Sequence, residues 1–283
     1  MALTTFFIAV LLTSVGAGVV GAVLGLGGGI LLVPILTMAY GVDIHYAMGA
    51  SIISVIATSS GAAAAYLRTG LSNLRIGLFL VMATISGALT GALLTDVVPV
   101  QWLEVILGLA LAYSAYATFA QLGVELPAEA NDDDPLAVRF GLDGVYYDRR
   151  LGQDVKYRAT RVRSGFVAMF GAGVLSGLLG IGSGAFKVLA MDYLMRLPMK
   201  VSTATSNFMI GITAAASAGI YFTRGDIHPL IAAPVALGVL LGAYLGTAVM
   251  ARMRNTTVRK AFLPVIAYLA LSMILRGLGV HLW

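Results

Sequence analysis

Long apolar stretches alternate with short polar segments along most of the chain. A helix needs about 20 apolar residues to cross a bilayer, and most of the stretches reach that length. They cover residues 3–40, 45–67, 76–98, 102–122, 166–195, 201–222, 229–250 and 258–275. This pattern predicts an all-α integral membrane protein with several crossings.

The composition supports this class and leaves no room for a large soluble domain. Of the 283 residues, 59% are hydrophobic and 11% are charged, whereas soluble domains carry about 25% charged residues. The chain contains no cysteine and three histidines, all near the ends of apolar stretches, so we expect no metal site, no cofactor and no enzyme activity. A net charge of +5 fits loop orientation and does not indicate a nucleic-acid partner. The first apolar stretch lacks a basic leader and exceeds the length of a signal peptide, so we expect it to be retained.

One polar segment, residues 125–163, separates the first four apolar stretches from the last four. Within it, the sequences "VYY" (145–147) and "VKY" (155–157) flank the turn-prone "DRRLGQD", which predicts a small β-hairpin. A disordered linker is the alternative, favoured by the composition of "PAEANDDDP".

The two apolar halves are related by a shift of 155 residues without a gap. The cluster Gly25, Gly27, Gly28 and Gly29 aligns with Gly180, Gly182, Ser183 and Gly184, and Ser51 and Tyr66 align with Ser206 and Tyr221. We therefore expect a first membrane repeat over 1–124, a polar loop over 125–163 and a second membrane repeat over 164–283. Gly87 and Gly91, which align with Gly242 and Gly246, are typical of helix packing.

Loop charges indicate that the two repeats are inverted. Cytoplasmic loops are enriched in Lys and Arg, and each basic loop aligns with a loop that is not basic. The pairs are Asp43 against Arg196 and Lys200, Arg68 and Arg75 against Arg224 with Asp226, and Asp96 against Arg252, Arg254, Arg259 and Lys260. Inversion with a cytoplasmic polar loop requires 164–197, and by symmetry 3–40, to enter the membrane and return to the same side. The glycine clusters then mark the turns of two helical hairpins, each with a long arm before the turn and a short arm after it.

A turn inside the membrane exposes backbone polar groups, which is tolerated only where protein or a wet cavity surrounds them. The free amides at the start of each short arm favour an anion, and Lys187 adds a cation three residues after the second turn. Polar side chains also crowd the start of the following stretch, although helix packing is an equal explanation for any single hydroxyl. For Lys187 the alternative is a snorkelling lysine or an ion pair with Asp192. The predicted substrate site comprises Gly27, Gly28, Gly29, Ser51, Gly182, Ser183, Gly184, Lys187, Thr203, Thr205, Ser206 and Asn207.

Two sharper motifs fail on inspection. The sequence "GIGSGA" (180–185) fits a dinucleotide-binding pattern, but no strand precedes it and Lys200 stands where an acidic residue is required. A serine protease centred on Ser183 lacks both the glycine two residues earlier and a histidine within the membrane.

The duplicated glycine turns "GLGGGILLVPIL" and "GIGSGAFKVLAM", the stretches "AMGASIISVIATSSGAAAAYLRTG" and "VSTATSNFMIGITAAASAGIYFTRGDI", and the central "GVYYDRR" together resemble the sulfite exporter TauE/SafE family over nearly the whole chain. The resemblance implies a permease or exporter of small sulfur-containing oxyanions such as sulfite, thiosulfate or organosulfonates, driven by an ion gradient. Ser183 replaces a glycine common in the family, and Leu189 stands where the first repeat has Pro34, which leaves the substrate open.

Alternating access by the inverted repeats favours a secondary transporter in the inner (cytoplasmic) membrane. A non-transporting sensor or accessory protein with the same fold, and an anion channel, are the alternatives. The expected partners are the oxyanion, the lipid bilayer and a coupling proton or cation, with a second copy of the chain as a further candidate.

Overall fold

The computed structural model describes residues 3–24, 27–95, 97–120, 134–148, 152–250 and 255–280. The described part is helical apart from one two-stranded sheet. In the first half the helices are α1 (Leu3–Leu24), α2 (Gly29–Ala39), α3 (Ile44–Arg68), α4 (Leu74–Leu94) and α5 (Val100–Ala120). The polar segment holds α6 (Pro135–Phe140), β1 (Asp143–Asp148) and β2 (Gln153–Arg158). The second half holds α7 (Val162–Leu179), α8 (Gly184–Leu189), α9 (Met199–Thr223), α10 (Pro229–Met250) and α11 (Asn255–Gly277).

Five of the described helices, α1, α3, α4, α7 and α10, are long and apolar enough to cross a membrane. The predicted multi-pass all-α membrane protein is therefore confirmed. Shorter apolar segments lie in α5 and α11.

Each glycine cluster lies between a long helix and a short one, as predicted. In the first repeat, α1 has 22 residues and α2 has 11, and the Tyr40 ring at the end of α2 lies 5.8 Å from the Phe6 ring near the start of α1. The second short arm consists of six α-helical residues, followed by a π-helical turn over Ala190–Leu194. Its end returns to the start of α7, where the Thr160 amide donates to the Met195 carbonyl at 3.1 Å.

The long arm of each hairpin packs against a helix of the other repeat. Helix α1 packs along α10, and α7 packs along α4. An added Cβ at Gly87 would overlap the backbone of α7 near Val174, and one at Gly242 would overlap the backbone of α1 near Val19. These contacts are equivalent under the 155-residue shift, and they confirm the predicted packing role of the Gly87 and Gly242 motifs.

The remaining large helices pair with their own repeat equivalents, α3 with α9 and α5 with α11. Near one end of the α3–α9 pair, Gly49 packs against the backbone of Asp226. At the other end, the Asn73 amide donates to Thr205 Oγ1 at 3.0 Å. Because the start of α3 lies beside the end of α9, these two helices run antiparallel. The start of each of these two helices therefore lies beside the end of its repeat equivalent, as expected if a twofold axis passed between α3 and α9.

The polar segment contains the predicted β-hairpin. Strands β1 and β2 are antiparallel, with Val145 opposite Lys156 and Tyr147 opposite Asp154. The alternative was a disordered linker, argued from the composition of "PAEANDDDP". Residues 125–133, which include most of that sequence, lie outside the described part of the chain.

The hairpin docks on the loop between α3 and α4 and on the start of α9. Asn73 Nδ2 donates to Tyr157 Oη at 3.0 Å, and Lys200 Nζ donates to Asp148 at 3.0 Å. Burial and the neighbouring Asp148 carboxylate raise the pKa of Tyr146, which keeps this phenol neutral. We call this side of the bundle the hairpin end, and the side that holds Asp43 and Asp226 the opposite end.

Candidate functional site

The two glycine turns meet halfway along α3 and α9. An added Cβ at Gly182 would lie 2.8 Å from Val55 Cγ1 and 2.9 Å from Ile210 Cγ2, and one at Gly27 would lie 3.4 Å and 3.0 Å from the same two atoms. Val55 and Ile210 are repeat equivalents, as are Gly27 and Gly182. Both turns therefore share one apolar contact pair at the centre of the bundle.

The first short arm also touches the second turn directly. An added Cβ at Gly29 would lie 3.2 Å from the Ile181 carbonyl oxygen and 2.5 Å from Ser51 Oγ. The sequence predicted that the two turns lie together, and the structure places them in contact.

Backbone conformation explains why glycines occupy the turns. Gly27, Gly28 and Gly182 have φ angles of 75°, 74° and 72°, which only glycine adopts without strain. Ser183, the equivalent of Gly28, has a φ of 47°. A left-handed conformation costs a residue with a Cβ about 1–2 kcal/mol, so the second turn carries strain that the first does not.

Three candidate residues have a buried side-chain oxygen with no hydrogen-bond partner in the described part of the chain. They are Ser51 Oγ, Ser183 Oγ and Asn207 Oδ1, and all three residues are fully buried. Buried polar groups are nearly always hydrogen-bonded, and leaving one unsatisfied costs about 1–3 kcal/mol. The same state occurs away from the turns at Ser14, Ser72 and Thr160.

Lys187, on α8, is the one candidate with an ionisable side chain, and it is 0% exposed. Its Nζ donates to Thr213 Oγ1 on α9 at 2.8 Å, and Thr213 Oγ1 lies 3.0 Å from Thr84 Oγ1 on α4. Complete burial rules out snorkelling. Lys187 takes part in no ion pair among the described residues, so the Asp192 alternative is also wrong.

The other polar candidates are buried at the start of α9, but their hydroxyls serve the fold in different ways. Thr205 Oγ1 accepts the Asn73 amide and so anchors the α3–α4 loop. Ser206 Oγ donates to the Gly184 carbonyl at 3.4 Å, next to the second turn. Thr203 contributes its backbone carbonyl, which accepts Asn207 Nδ2 at 3.1 Å. Of this group, Ser206 and Asn207 have side chains with direct contacts to the hairpin arms.

Sequence reasoning missed the hydroxyl pair that receives Lys187. The sequence contains a weak indication for Thr213, because this residue aligns with Thr58 of the first repeat. Thr58 Oγ1 lies 3.6 Å from an added Cβ at Gly28, next to the first turn. The sequence contains no such indication for Thr84, since its repeat equivalent is the apolar Val239. Also missed were Tyr66 and Tyr221, whose hydroxyls donate to the equivalent carbonyls of Ala22 at 3.0 Å and Gly177 at 2.8 Å and tie each long arm to a central helix.

Buried or half-buried ion pairs lie at both ends of the α3–α9 pair. At the hairpin end, Lys200 pairs with Asp148 at 3.0 Å. At the opposite end, Arg224 pairs with Asp226 at 2.6 Å, and its guanidinium lies 4.6 Å from the centre of the Tyr221 ring. The turn residues 27–29 and 181–184, between these two ends, are buried.

Two apolar grooves lie on the outer side of the hairpins, with volumes of about 570 and 410 Å³. One lies between α1, α2 and α11, and the other between α5, α7 and α8. Their linings contain equivalent residues, such as Gly16 and Gly171. Their apolar linings make both grooves unsuited to a small anion.

The match with known proteins covers nearly the whole chain. The model of the family described as "Sulfite exporter TauE/SafE" matches residues 10–273. A protein named probable membrane transporter protein YunE, from Bacillus subtilis (strain 168), is 26% identical over 279 residues, which cover 96% of this chain and 98% of that protein. Probable membrane transporter protein YdhB, from the same organism, is 27% identical over 257 residues, covering 90% of this chain and 95% of that protein. No solved structure matches the chain. The resemblance found in the glycine turns is thereby confirmed, and the chain belongs to the sulfite exporter TauE/SafE family of membrane transporters.

Proposed function

We propose that this protein moves small sulfur-containing oxyanions, such as sulfite, thiosulfate or organosulfonates, across the cytoplasmic membrane. The family description names sulfite export. Alternating access of the two repeats, coupled to an ion gradient, would provide the turnover.

The observation that carries the proposal is a set of unsatisfied donors at the two adjoining turns. Ser51 Oγ and Ser183 Oγ are buried without partners, and the Lys187 amino group has one hydrogen bond, to Thr213, among the described residues. The first amides of α2 start beside Ser51, and helix amino-terminal amides favour an anion. An oxyanion between the turns would satisfy these groups together.

We infer that the two repeats are inverted in the membrane, an arrangement that would provide alternating access. Helices α3 and α9 are equivalent and antiparallel, so the operation that relates the repeats reverses the direction of a crossing helix. The basic loops with Arg75 and Lys200 lie at the hairpin end, and the loop with Asp226 lies at the opposite end. We infer that the hairpin end is cytoplasmic, because Lys and Arg are enriched there.

Binding of candidate anions to purified protein tests the function. We expect sulfite, thiosulfate or taurine to raise the melting temperature more than sulfate at equal ionic strength. Replacing Lys187 with Met should weaken binding by about 1–3 kcal/mol, the contribution of a charged hydrogen bond. Lys260→Met, at an exposed lysine on α11, is the matched control and should leave the affinity unchanged. Equal affinity of the Lys187→Met variant and the unsubstituted protein would remove this lysine from the site.

Cysteine labelling tests the inverted arrangement, since the chain has no native cysteine. Arg68 and Thr223 are exposed repeat equivalents at the ends of α3 and α9. In oriented membranes, a membrane-impermeant thiol reagent should modify Arg68→Cys and Thr223→Cys from opposite sides. Modification of both from one side would exclude inversion.

A further inference from the structure

Asn207 presents an acceptor at a site whose other free groups are donors. Its Nδ2 donates to the Ala22 carbonyl at 3.2 Å and to the Thr203 carbonyl at 3.1 Å. Both amide hydrogens are thus used, and the reverse orientation would set Oδ1 against two carbonyl oxygens. The orientation of the amide is therefore fixed, and Oδ1 is left buried without a partner among the described residues.

Asn207 contacts the first hairpin and α3, and its neighbour Ser206 contacts the second hairpin. Ala22 is near the end of α1, just before the first turn. The neighbouring Ser206 donates to the Gly184 carbonyl at the second turn, and the backbone carbonyl of Asn207 accepts the Ser59 hydroxyl of α3. The unsatisfied acceptor therefore lies among the central helices beside the turns.

The first repeat has no such acceptor, because the equivalent of Asn207 is Ile52, a buried hydrocarbon side chain. A symmetric packing role for this amide is thus excluded. This unsatisfied acceptor lies in the same repeat as Lys187, whose side chain is fully buried.

A fully deprotonated oxyanion has only lone pairs to offer and would repel Oδ1. An oxyanion that retains an O–H or N–H group can donate to Oδ1 while its charged oxygens accept from Lys187, Ser51 and Ser183. We propose that Asn207 selects such a substrate: an oxyanion that carries its own hydrogen-bond donor, either a protonated oxyanion or an amino- or hydroxysulfonate. This inference rests on the proposed anion transport.

Two pairs of probes that differ by one donor test the inference on the purified full chain. Ethanesulfonate against 2-hydroxyethanesulfonate isolates an O–H group, and methanesulfonate against sulfamate isolates an N–H group, with the same single negative charge in both members of each pair. In at least one pair, titration calorimetry should give about tenfold tighter binding for the probe with the donor, the order expected when a buried unsatisfied acceptor gains a partner. The pair that shows the preference identifies the kind of donor.

The variant Asn207→Leu should abolish this preference while the probes without a donor keep their affinity. A merely structural role would instead lower the affinity for both members of a pair by the same factor. Ser59→Ala, which removes the contacts of this hydroxyl to the Asn207 carbonyl and to the Gly211 amide but leaves Oδ1 in place, is the control and should keep the preference.

The outcomes separate this inference from the proposed function. If the unsubstituted protein binds the two members of each pair equally, the role of Asn207 is overturned and anion binding stands. If it binds none of the four probes and no inorganic sulfur oxyanion, the proposed function itself fails. If Asn207→Leu does not fold, the affinities of the unsubstituted protein for the two members of each pair still test whether the site prefers an anion with a donor.

Discussion

The two glycine turns share one backbone arrangement but differ in the polarity of the side chains around them. Both connect a long arm to an eleven-residue return segment, Gly29–Ala39 in the first repeat and 184–194 in the second. In the return segment, the first repeat has apolar Leu32 where the second has Lys187. On the following helix, the first repeat has Ile52 where the second has Asn207.

The return segments also lose regular hydrogen bonding at the same place by different means. In α2, Pro34 removes an amide donor. In the second repeat, the equivalent position is Leu189, and the π-helical turn begins directly after it. π-helical turns are frequent at functional sites. The comparison teaches that the two repeats share a backbone scaffold, whereas the charge of Lys187 and the acceptor of Asn207 belong to the second repeat.

The first pair of variants tests the scaffold that the two repeats share. Gly87→Val and Gly242→Val each place a side chain against the backbone of the partner helix. Overpacking of this kind costs about 1–3 kcal/mol, and more where backbone must move. Both variants should lose thermal stability and yield by similar amounts, as measured by thermal unfolding in detergent.

The controls are Gly16→Ala and Gly171→Ala, which are also equivalent positions in the long arms. An added Cβ meets nothing within 4 Å at either glycine. Alanine should stabilise each helix by about 0.5–1 kcal/mol. If the Gly87 and Gly242 variants differed strongly in stability, the equivalence of the two packing seams would be refuted.

The next effect compares equivalent residues at the two ends of the bundle. Lys200 and His45 are repeat equivalents, and each pairs with an aspartate. The side chains of Lys200 and Asp148 are 9% and 5% exposed, whereas those of His45 and Asp43 are 36% and 60% exposed. Removing one partner of a buried pair costs about 3–5 kcal/mol, but an exposed pair contributes little.

Asp148→Ala should therefore lower the free energy of unfolding by several kcal/mol and release the hairpin from α9. Asp43→Ala should cost about 1 kcal/mol, mainly because Asp43 caps α3 through the His45 amide. Limited proteolysis within the hairpin measures its release. Unchanged protection of the hairpin in Asp148→Ala would show that other contacts hold it in place.

The sequence predicted the features that repeat or that follow from local patterns. Hydrophobic length, the aligned glycines and the loop charges together predicted both helical hairpins, and the tyrosine-rich strands predicted the β-hairpin. It also predicted that Ser51, Ser183 and Lys187 lie at the turns.

Long-range pairings escaped prediction. Nothing in the local pattern links Lys187 to Thr84, or Lys200 to Asp148, because those contacts depend on how the repeats exchange partners in three dimensions. The sequence also placed Thr203, Thr205, Ser206 and Asn207 in the substrate site, with helix packing as an equal explanation for any single hydroxyl. Thr205 instead accepts a loop amide, a role that only the position of Asn73 explains.

The smallest expected effect concerns the strained residue that distinguishes the two turns. Ser183→Gly removes a Cβ from a left-handed conformation and should stabilise the protein by about 1 kcal/mol. The same change deletes an unsatisfied buried hydroxyl, so anion affinity should fall as stability rises. Gly28→Ser, the reverse change in the first repeat, should lower stability by a similar amount, since φ at Gly28 is 74°. Thermal unfolding and anion titration of both variants give the two readouts. A Ser183→Gly variant with increased stability and full affinity would show that the serine hydroxyl contributes nothing to binding, and the first and second turns would then differ only through Lys187 and Asn207.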